Sequence, residues 1–405
     1  MSGAGVVYKL CERFDELRHT AYTTDLVDIA MLGLVGDMMD IRDMETRYLI
    51  QEGFKHIRNP FIKGMIEKNS YSIGSELSPI GIAFYVVPLV NAVTRIGTMD
   101  EKQILFKSML DFLAYTQVPS TKRGCKGQME TIVEQAVRSC TNVKARQTKL
   151  QDASVEVIEN VIQEKNLLEH KLLLIKLEDI SVDRGITGLI ANKFMAKYKR
   201  PTVLLQPTID ENNQLLWAGS ARGYDKSAFK DFRQFCRDSG LVALAEGHAN
   251  AFGFAIYDSA FDDFVEYSDA KLKDIEFSPI YKVDYIFSMQ NLDPQIILDI
   301  GTLKRFWGQN IDEALVVVEN IPVTKDMLSL MAKDSHPTLK IQLPNGVACI
   351  KFKASEEEYD SLYTENGCVF ITVIGKCEVN RYYSLVTPQI IVEDYEILDK
   401  QEWYF

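Results

Sequence analysis

The sequence predicts a multidomain α/β (α+β) chain, on three observations. Residues 3–115 carry apolar side chains at helical spacing and no β-branched run bounded by turns. Residues 127–166 continue that spacing without a proline. Beyond residue 170 short apolar runs alternate with helical segments, and beyond 275 such runs follow one another with turn residues between them.

In the first stretch Val6, Val7, Leu10 and Phe14 recur at helical spacing, as do Leu26, Ile29, Ala30, Leu32 and Gly33, then Tyr48, Leu49 and Phe54. The second has Ile132, Val133, Ala136, Val137, Cys140 and Val143, then Val155, Ile158, Val161 and Ile162, which predicts one long connecting helix with room for a break. Its early part is basic (Lys122, Arg123, Lys126, Arg138, Lys144, Arg146, Lys149), either a solvated helix face or a nucleic-acid contact. The third predicts strands at 171–177, 202–205 and 215–220 and helices at 185–198 and 228–239. The fourth predicts strands at 314–318, 338–342, 347–352, 368–374 and 389–395, the pattern of a small barrel or sandwich.

Composition narrows the function classes. A length of 405 residues suits two to four domains. The net charge of -12 excludes a generally basic surface, so a nucleic-acid site must be a local stripe. No uninterrupted apolar run approaches the ~20 residues that cross a bilayer, and no signal peptide opens the chain, so no membrane role is expected. Seven scattered cysteines without a CxxC pair indicate neither a zinc knuckle nor a disulfide framework, and fit reduced thiols in the cytoplasm.

Four segments carry candidate chemistry. In Gly247-His248-Ala249-Asn250-Ala251-Phe252-Gly253 an imidazole stands among small residues. The reading here is a helix opening after a glycine, whose free amides would seat a phosphate. Ser220-Ala221-Arg222 ends a strand, and residues two apart share a face, offering a hydroxyl and a guanidinium to one phosphate or simply ending the strand in solvent. Asn91 and Arg95 stand four apart on one helix face. Asp37, in LGLVGDMMDI, ends an apolar helix, as a metal ligand or as a solvent-facing cap.

Together these segments resemble the DHH–DHHA1 phosphoesterases, and among them the RecJ-like exonucleases specific for single-stranded DNA. EGHANAFGF resembles the family's GGHxxAAG box, and DRGITGLIANKFMAKYKRPTVLL the helix and strand ahead of it. AGSARG resembles its Ser-x-Arg element, PLVNAVTRIGTMD its Asn-Ala-x-x-Arg segment, and MLGLVGDMMDI its fourth metal-site motif. FWGQNIDEALVVV and NRYYSLVTPQIIVEDYEI resemble the opening turn and closing strands of the family's OB domain. The matches are collinear over nearly the whole chain.

The resemblance implies a helical C-terminal part of a DHH domain at 1–115, a connecting helix at 116–168, a DHHA1 domain at 169–270 and an OB-like β-barrel at 271–405. It implies that Asp37 is a Mn2+ or Mg2+ ligand. Arg95, Ser220, Arg222 and His248 would contact phosphate, Asn91 would support Arg95, and Gly247 and Gly253 would permit close backbone approach. Tyr382 and Tyr383 would stack on bases, unless they serve the core of the barrel.

The chain also departs from the pattern. The family's first three motifs, which should precede the segment at 3–6, are not in the sequence, and Glu246 replaces the first glycine of the box. One aspartate cannot hold two divalent ions, and no cluster around His19, His56, His170 or His336 substitutes. No complete catalytic set is therefore expected in this chain. The leading expectation is the C-terminal part of a 5′–3′ single-stranded-DNA exonuclease, working with a separate chain that carries the missing motifs. That protein partner would cover an apolar face left bare on helices 3–115. The alternative is an inactive single-stranded nucleic-acid-binding or regulatory module. A phosphodiesterase for short oligonucleotides or cyclic dinucleotides is the third class, against which the OB-like tail counts.

Overall fold

Cap residues cut the first 115 residues into short helices. The computed structural model describes residues 1–405 except 75, 126, 332–336 and 403–405 and except the side chains of Tyr382 and Glu402, so Lys126 and His336 of the sequence reading lie outside the described residues. The helices are α1 (Gly3–Arg18), α2 (Val27–Gly36), α3 (Met44–Lys55), α4 (Pro60–Lys68), α5 (Ser70–Ile73), α6 (Pro79–Tyr85), α7 (Val87–Ile96), α8 (Met99–Ser108) and α9 (Asp111–Ala114). Ser2, Asp43, Asn59, Ser78 and Thr98 each accept a backbone amide at a helix start, and Pro60 and Pro79 occupy first helical positions. A purely helical opening is therefore met.

Two compact units divide the chain: residues 1–87 with 282–405, and residues 88–281. In the first, α2 is buried almost all round, and Met31, Leu34, Phe61, Ile62, Met65 and Ile82 are sealed from solvent. Asp15 is buried at the foot of α1, where the Thr20 hydroxyl (2.5 Å) and the Thr23 amide (2.6 Å) hold its carboxyl down to about 2. The expected bare apolar face lies on α1: Val6, Val7, Leu10, Phe14 and Leu17 are 56–69 % exposed. Residues Pro79–Ile96 form an 18-residue apolar stretch of mean hydropathy 1.5, at the lower limit of a bilayer span. It is interrupted at Val86, between two helices, and carries Asn91 and Arg95.

Within the second unit, past α9, comes a short hairpin, β1 (Gln117–Pro119) with β2 (Met129–Thr131). A capping box of Thr131 and Glu134 then starts α10 (Ile132–Glu164), 33 residues without a break. Next come β3 (Leu173–Lys176), α11 (Thr187–Tyr198), β4 (Thr202–Ile209), β5 (Leu215–Arg222), α12 (Phe232–Asp238), β6 (Leu244–His248), β7 (Ala251–Tyr257) and α13 (Phe261–Leu272). The strands form one sheet in the order β3-β4-β5-β7-β6, parallel only between β3 and β4. Its two faces carry separate cores. One gathers Val203, Trp217, Phe232, Phe252, Phe254 and Phe264, the other Ile158, Ile162, Ile175, Ile190, Phe194 and Leu204. Burial on both faces explains why β3 and β4 read as unbroken apolar runs.

The remainder of the first unit holds β8 (Tyr285–Ser288), α14 (Pro294–Gly301), β9 (Leu315–Val323), β10 (Leu328–Met331), β11 (Thr338–Gln342), β12 (Ala348–Phe352), α15 (Glu356–Leu362), β13 (Gly367–Tyr382) and β14 (Leu385–Glu402). Here the expected barrel is corrected. The seven strands form a mixed sheet in the order β10-β11-β12-β14-β13-β9-β8, and its terminal strands do not pair with each other. The edges are short: β8 and β10 have four residues each and pair with one neighbour only, while the central β13 and β14 pair over 16 residues of β13, with bulges at Phe370/Ile371 and Ile374/Gly375. Short apolar runs at 368–374 and 389–395 marked only the middles of these strands.

All seven thiols are free, and burial pushes those of Cys140, Cys349 and Cys377 up to about 12. Two outcomes test the packing. Truncating Phe61 to alanine should cost about 3–5 kcal/mol in denaturant unfolding. Asp15→Asn should lower the melting temperature at pH 7. A carboxyl held down by folding adds stability above its unfolded value and loses it as pH falls through the folded one, so the gap should close between pH 4 and pH 2 in melts across that range.

Candidate phosphate-binding site

Strand alternation places Trp217 and Ala221 of β5 in one core and turns Ser220 and Arg222 to the opposite face, the one that α11 covers. There the Thr187 and Ser220 hydroxyls meet at 2.9 Å. Gly188 leaves space for the neighbouring guanidinium, since a Cβ on it would lie 2.2 Å from Arg222 Nη2 and 3.5 Å from Ser220 Oγ. Arg222 thus lies over the first turn of α11, where unpaired amides already carry partial positive charge. Its Nη1 donates to the Ala221 carbonyl at 2.7 Å. Burial, then the nearby charge of Arg95, lowers its ordinary pKa, although a guanidinium stays charged at any physiological pH.

Arg95 comes from the C-terminal turn of α7. Its carbonyl packs on the loop ahead of α11, where a Cβ on Gly185 would lie 3.1 Å away. Among the described residues neither arginine pairs with a carboxylate. Asn91 shares the helix face of Arg95, but no hydrogen bond joins the two side chains.

The histidine box is not a helix N-terminus. Gly247 and His248 end β6, Ala249 and Asn250 form the turn, and β7 begins at Ala251. Period two explains it: Phe252, Phe254 and Ile256 all enter the aromatic core, which a helix could not arrange. Gly247 has φ 137°, and a Cβ there would come within 2.8 Å of the Ala251 carbonyl and 2.9 Å of Phe252 Cα. Only glycine fits. Gly253 is under no such pressure, its nearest neighbour being 3.7 Å away. The Asn250 side chain donates to the Lys230 carbonyl (2.9 Å) and accepts from the Phe232 amide (3.3 Å), tying the turn to α12. Arg233 donates to the carbonyl of Gly247.

Register now gathers the predicted residues. Ser220 pairs with Gly253, which pairs with Glu246, while Arg222 pairs with Ala251, which pairs with His248. Directly paired residues share a sheet face. Gly253 and Ala251 therefore make a shallow floor, with Ser220 and Arg222 along one side and the exposed Glu246 and His248 along the other, about 10 Å apart at two strand spacings. Sequence reasoning missed Thr187 and Gly188, for which an early-helix threonine and glycine gave only a weak signal.

Of the basic stretch, Arg138 pairs with Glu130 and Arg146 with Glu101, so those charges are structural. Lys122, Arg123 and Lys149 are exposed. In the first unit Asp37 is an exposed C-cap of α2. Among the described residues no group of three or more His, Cys, Asp or Glu side chains could hold a metal ion. His170 is engaged with Asp269 at 2.6 Å and His56 lies 3.6 Å from Glu52. The donor set therefore does not fit a two-metal centre. Tyr383 is 91 % exposed in the turn between β13 and β14.

No family model matches the chain. It is 33 % identical over 400 residues to the prophage-derived protein YorK of Bacillus subtilis, named a single-strand DNA-specific exonuclease; the alignment covers 98 % of this chain and 69 % of YorK. It is 23 % identical over 412 residues to the single-stranded-DNA-specific exonuclease RecJ of Bacillus subtilis, covering 100 % of this chain and 47 % of RecJ. RecJ of Thermus thermophilus, solved with Mn2+, shares its fold at a TM-score of 0.67 and 17 % identity, over 96 % of this chain and 52 % of that one. This chain thus spans about two thirds of YorK and about half of RecJ. It belongs to the RecJ-like family of single-strand-DNA-specific exonucleases.

Proposed function

We propose that this chain is the phosphate-gripping part of a RecJ-like 5′–3′ single-stranded-DNA exonuclease, and that it hydrolyses phosphodiesters only with a separate chain carrying the missing DHH motifs. One observation carries the reading: Arg222 and the Ser220 hydroxyl meet over the first turn of α11, with the backbone of Arg95 against the loop ahead of it and no carboxylate paired with either arginine among the described residues. Such a spot repels cations and rewards an anion rich in acceptor oxygens.

In this reading Ser220 and Arg222 donate to oxygens of one phosphate, and Thr187 orients the Ser220 hydroxyl. Arg95 adds a second cation, and His248 approaches from across the floor that Gly253 and Ala251 keep open. Gly247 holds the strand end that carries His248, and Asn91 flanks Arg95. Asp37 is one ligand of an ion whose other ligands, and hence any Mn2+ or Mg2+ binding, come from the partner. The bare stripe on α1 supports a protein partner there, since exposed apolar faces mark interaction surfaces. Residues 169–270 serve as the DHHA1 domain, and the C-terminal sheet grips the strand with Tyr383 at its tip. Free thiols fit a cytoplasmic location.

The second reading, a binding or regulatory module without catalysis, is supported by the lack of a group of three or more ligand side chains among the described residues. Degradation of 5′-phosphorylated single-stranded DNA separates the two. With a polypeptide bearing the DHH motifs, Mn2+-dependent release of nucleotides from the 5′ end supports the exonuclease. Binding without turnover under any divalent ion supports the module. The grip itself is tested by fluorescence anisotropy on 5′-phosphorylated oligothymidylate. Arg222→Gln should weaken binding about tenfold or more, the scale of a charge-assisted hydrogen bond, and flatten the salt dependence by about 0.7 per lost phosphate contact. Binding that ignores both salt and Arg222 overturns the assignment.

A further inference from the structure

The buried face of α10 changes character midway. Cys140 and Val143 are sealed and apolar on one side of the change, Ile158 and Ile162 on the other, while the inward positions between include Gln147 and Gln151, 1 % and 6 % exposed. A buried glutamine amide has two donor hydrogens to satisfy. The Gln147 Oε1 accepts from Lys144 Nζ at 2.9 Å, but its Nε2 has no acceptor. Lys144 is half-buried and, among the described residues, pairs with no carboxylate. Burial, then the charges of Arg95 and Lys193, pulls its ammonium below the ordinary lysine range. Lys193 has its own counter-ion, Asp152, at 2.6 Å. One turn of α10 therefore presents an ammonium without a carboxylate and a buried amide with an unmet donor, and the same turn reaches the end of α7, where Arg146 donates to the carbonyl of Ile96, the residue after Arg95, at 3.4 Å. Leaving such donors unmet is costly in the free protein, and acceptor oxygens from a ligand would recover the cost.

We propose that Lys144 and Gln147 form a second anion subsite, adjoining Arg95, that takes a further backbone phosphate of the same single strand. The inference rests on the reading of Ser220, Arg222 and Arg95 as the first phosphate seat. Arg95 stands between the two and serves both. A chain with linked phosphates occupies both subsites, whereas a mononucleotide needs only the first, so the second favours polynucleotides over small phosphates.

Calorimetric titration of the whole chain with thymidine 5′-monophosphate and with 5′-phosphorylated trithymidylate tests this, using Lys144→Met, Gln147→Leu and Arg222→Gln. Lys144→Met should weaken the trinucleotide about tenfold and leave the mononucleotide within about twofold. Gln147→Leu should also weaken the trinucleotide, while the melting temperature of the free protein stays level or rises, because an unmet buried donor has been removed. A merely structural role for Gln147 would move only the melting temperature. Arg222→Gln should weaken both ligands. Trinucleotide binding unchanged in Lys144→Met and Gln147→Leu overturns the proposal, as does equal loss of both ligands. Should Arg222→Gln leave both ligands unaffected, the first seat is wrong and the second falls with it. Should only the Lys144 and Gln147 variants show no effect, the first seat stands alone.

Discussion

Like charge held together without a counter-ion governs the second unit. Arg222 lies over the first turn of α11 beside Arg95, and Lys144 adds a third cation from α10. Their mutual repulsion and the burial of Arg222 and Lys144 work against folding, so the surrounding structure must hold them. It does so with a sheet whose two faces carry separate cores and with a 33-residue helix capped at its start. The rigidity of that frame lets a site of one sign persist in a chain of net charge -12.

The frame also explains the small residues. A guanidinium over a helix terminus requires Gly188, and the tight end of β6 requires Gly247. Gly253 is under no such constraint, its nearest neighbour lying 3.7 Å from where a Cβ would stand.

The first unit is complementary in what it lacks. Its helices bury Met31, Phe61 and Met65 completely yet leave a stripe of α1 bare, and its candidate ligand Asp37 is exposed and belongs to no group of three or more ligand side chains among the described residues. The ligand count that phosphodiester hydrolysis by two ions requires is not found among those residues.

Much was legible in the sequence because periodicity and capping are local. The helical first 115 residues, a long helix within 127–166, and the shared face of Ser220 and Arg222 follow from spacing alone, since side-chain direction repeats every 3.6 or two residues, whereas the hairpin ahead of α10 and its lack of a break did not. The collinear motifs likewise marked the family. Tertiary structure decided what spacing cannot reach. Pairing of β7 with β5 and β6 made the histidine box a hairpin, because burying Phe252, Phe254 and Ile256 in one core outweighs a local helix signal. Pairing of β8 with β9 alone and of β10 with β11 alone left the last sheet open. The meeting of Thr187 with Ser220, of Gly188 with Arg222, and of Lys144 with the field of Arg95 joins residues from separate elements. Composition determined which groups this protein has to offer; only long-range packing, which sets distance independently of sequence separation, decided which of them act together.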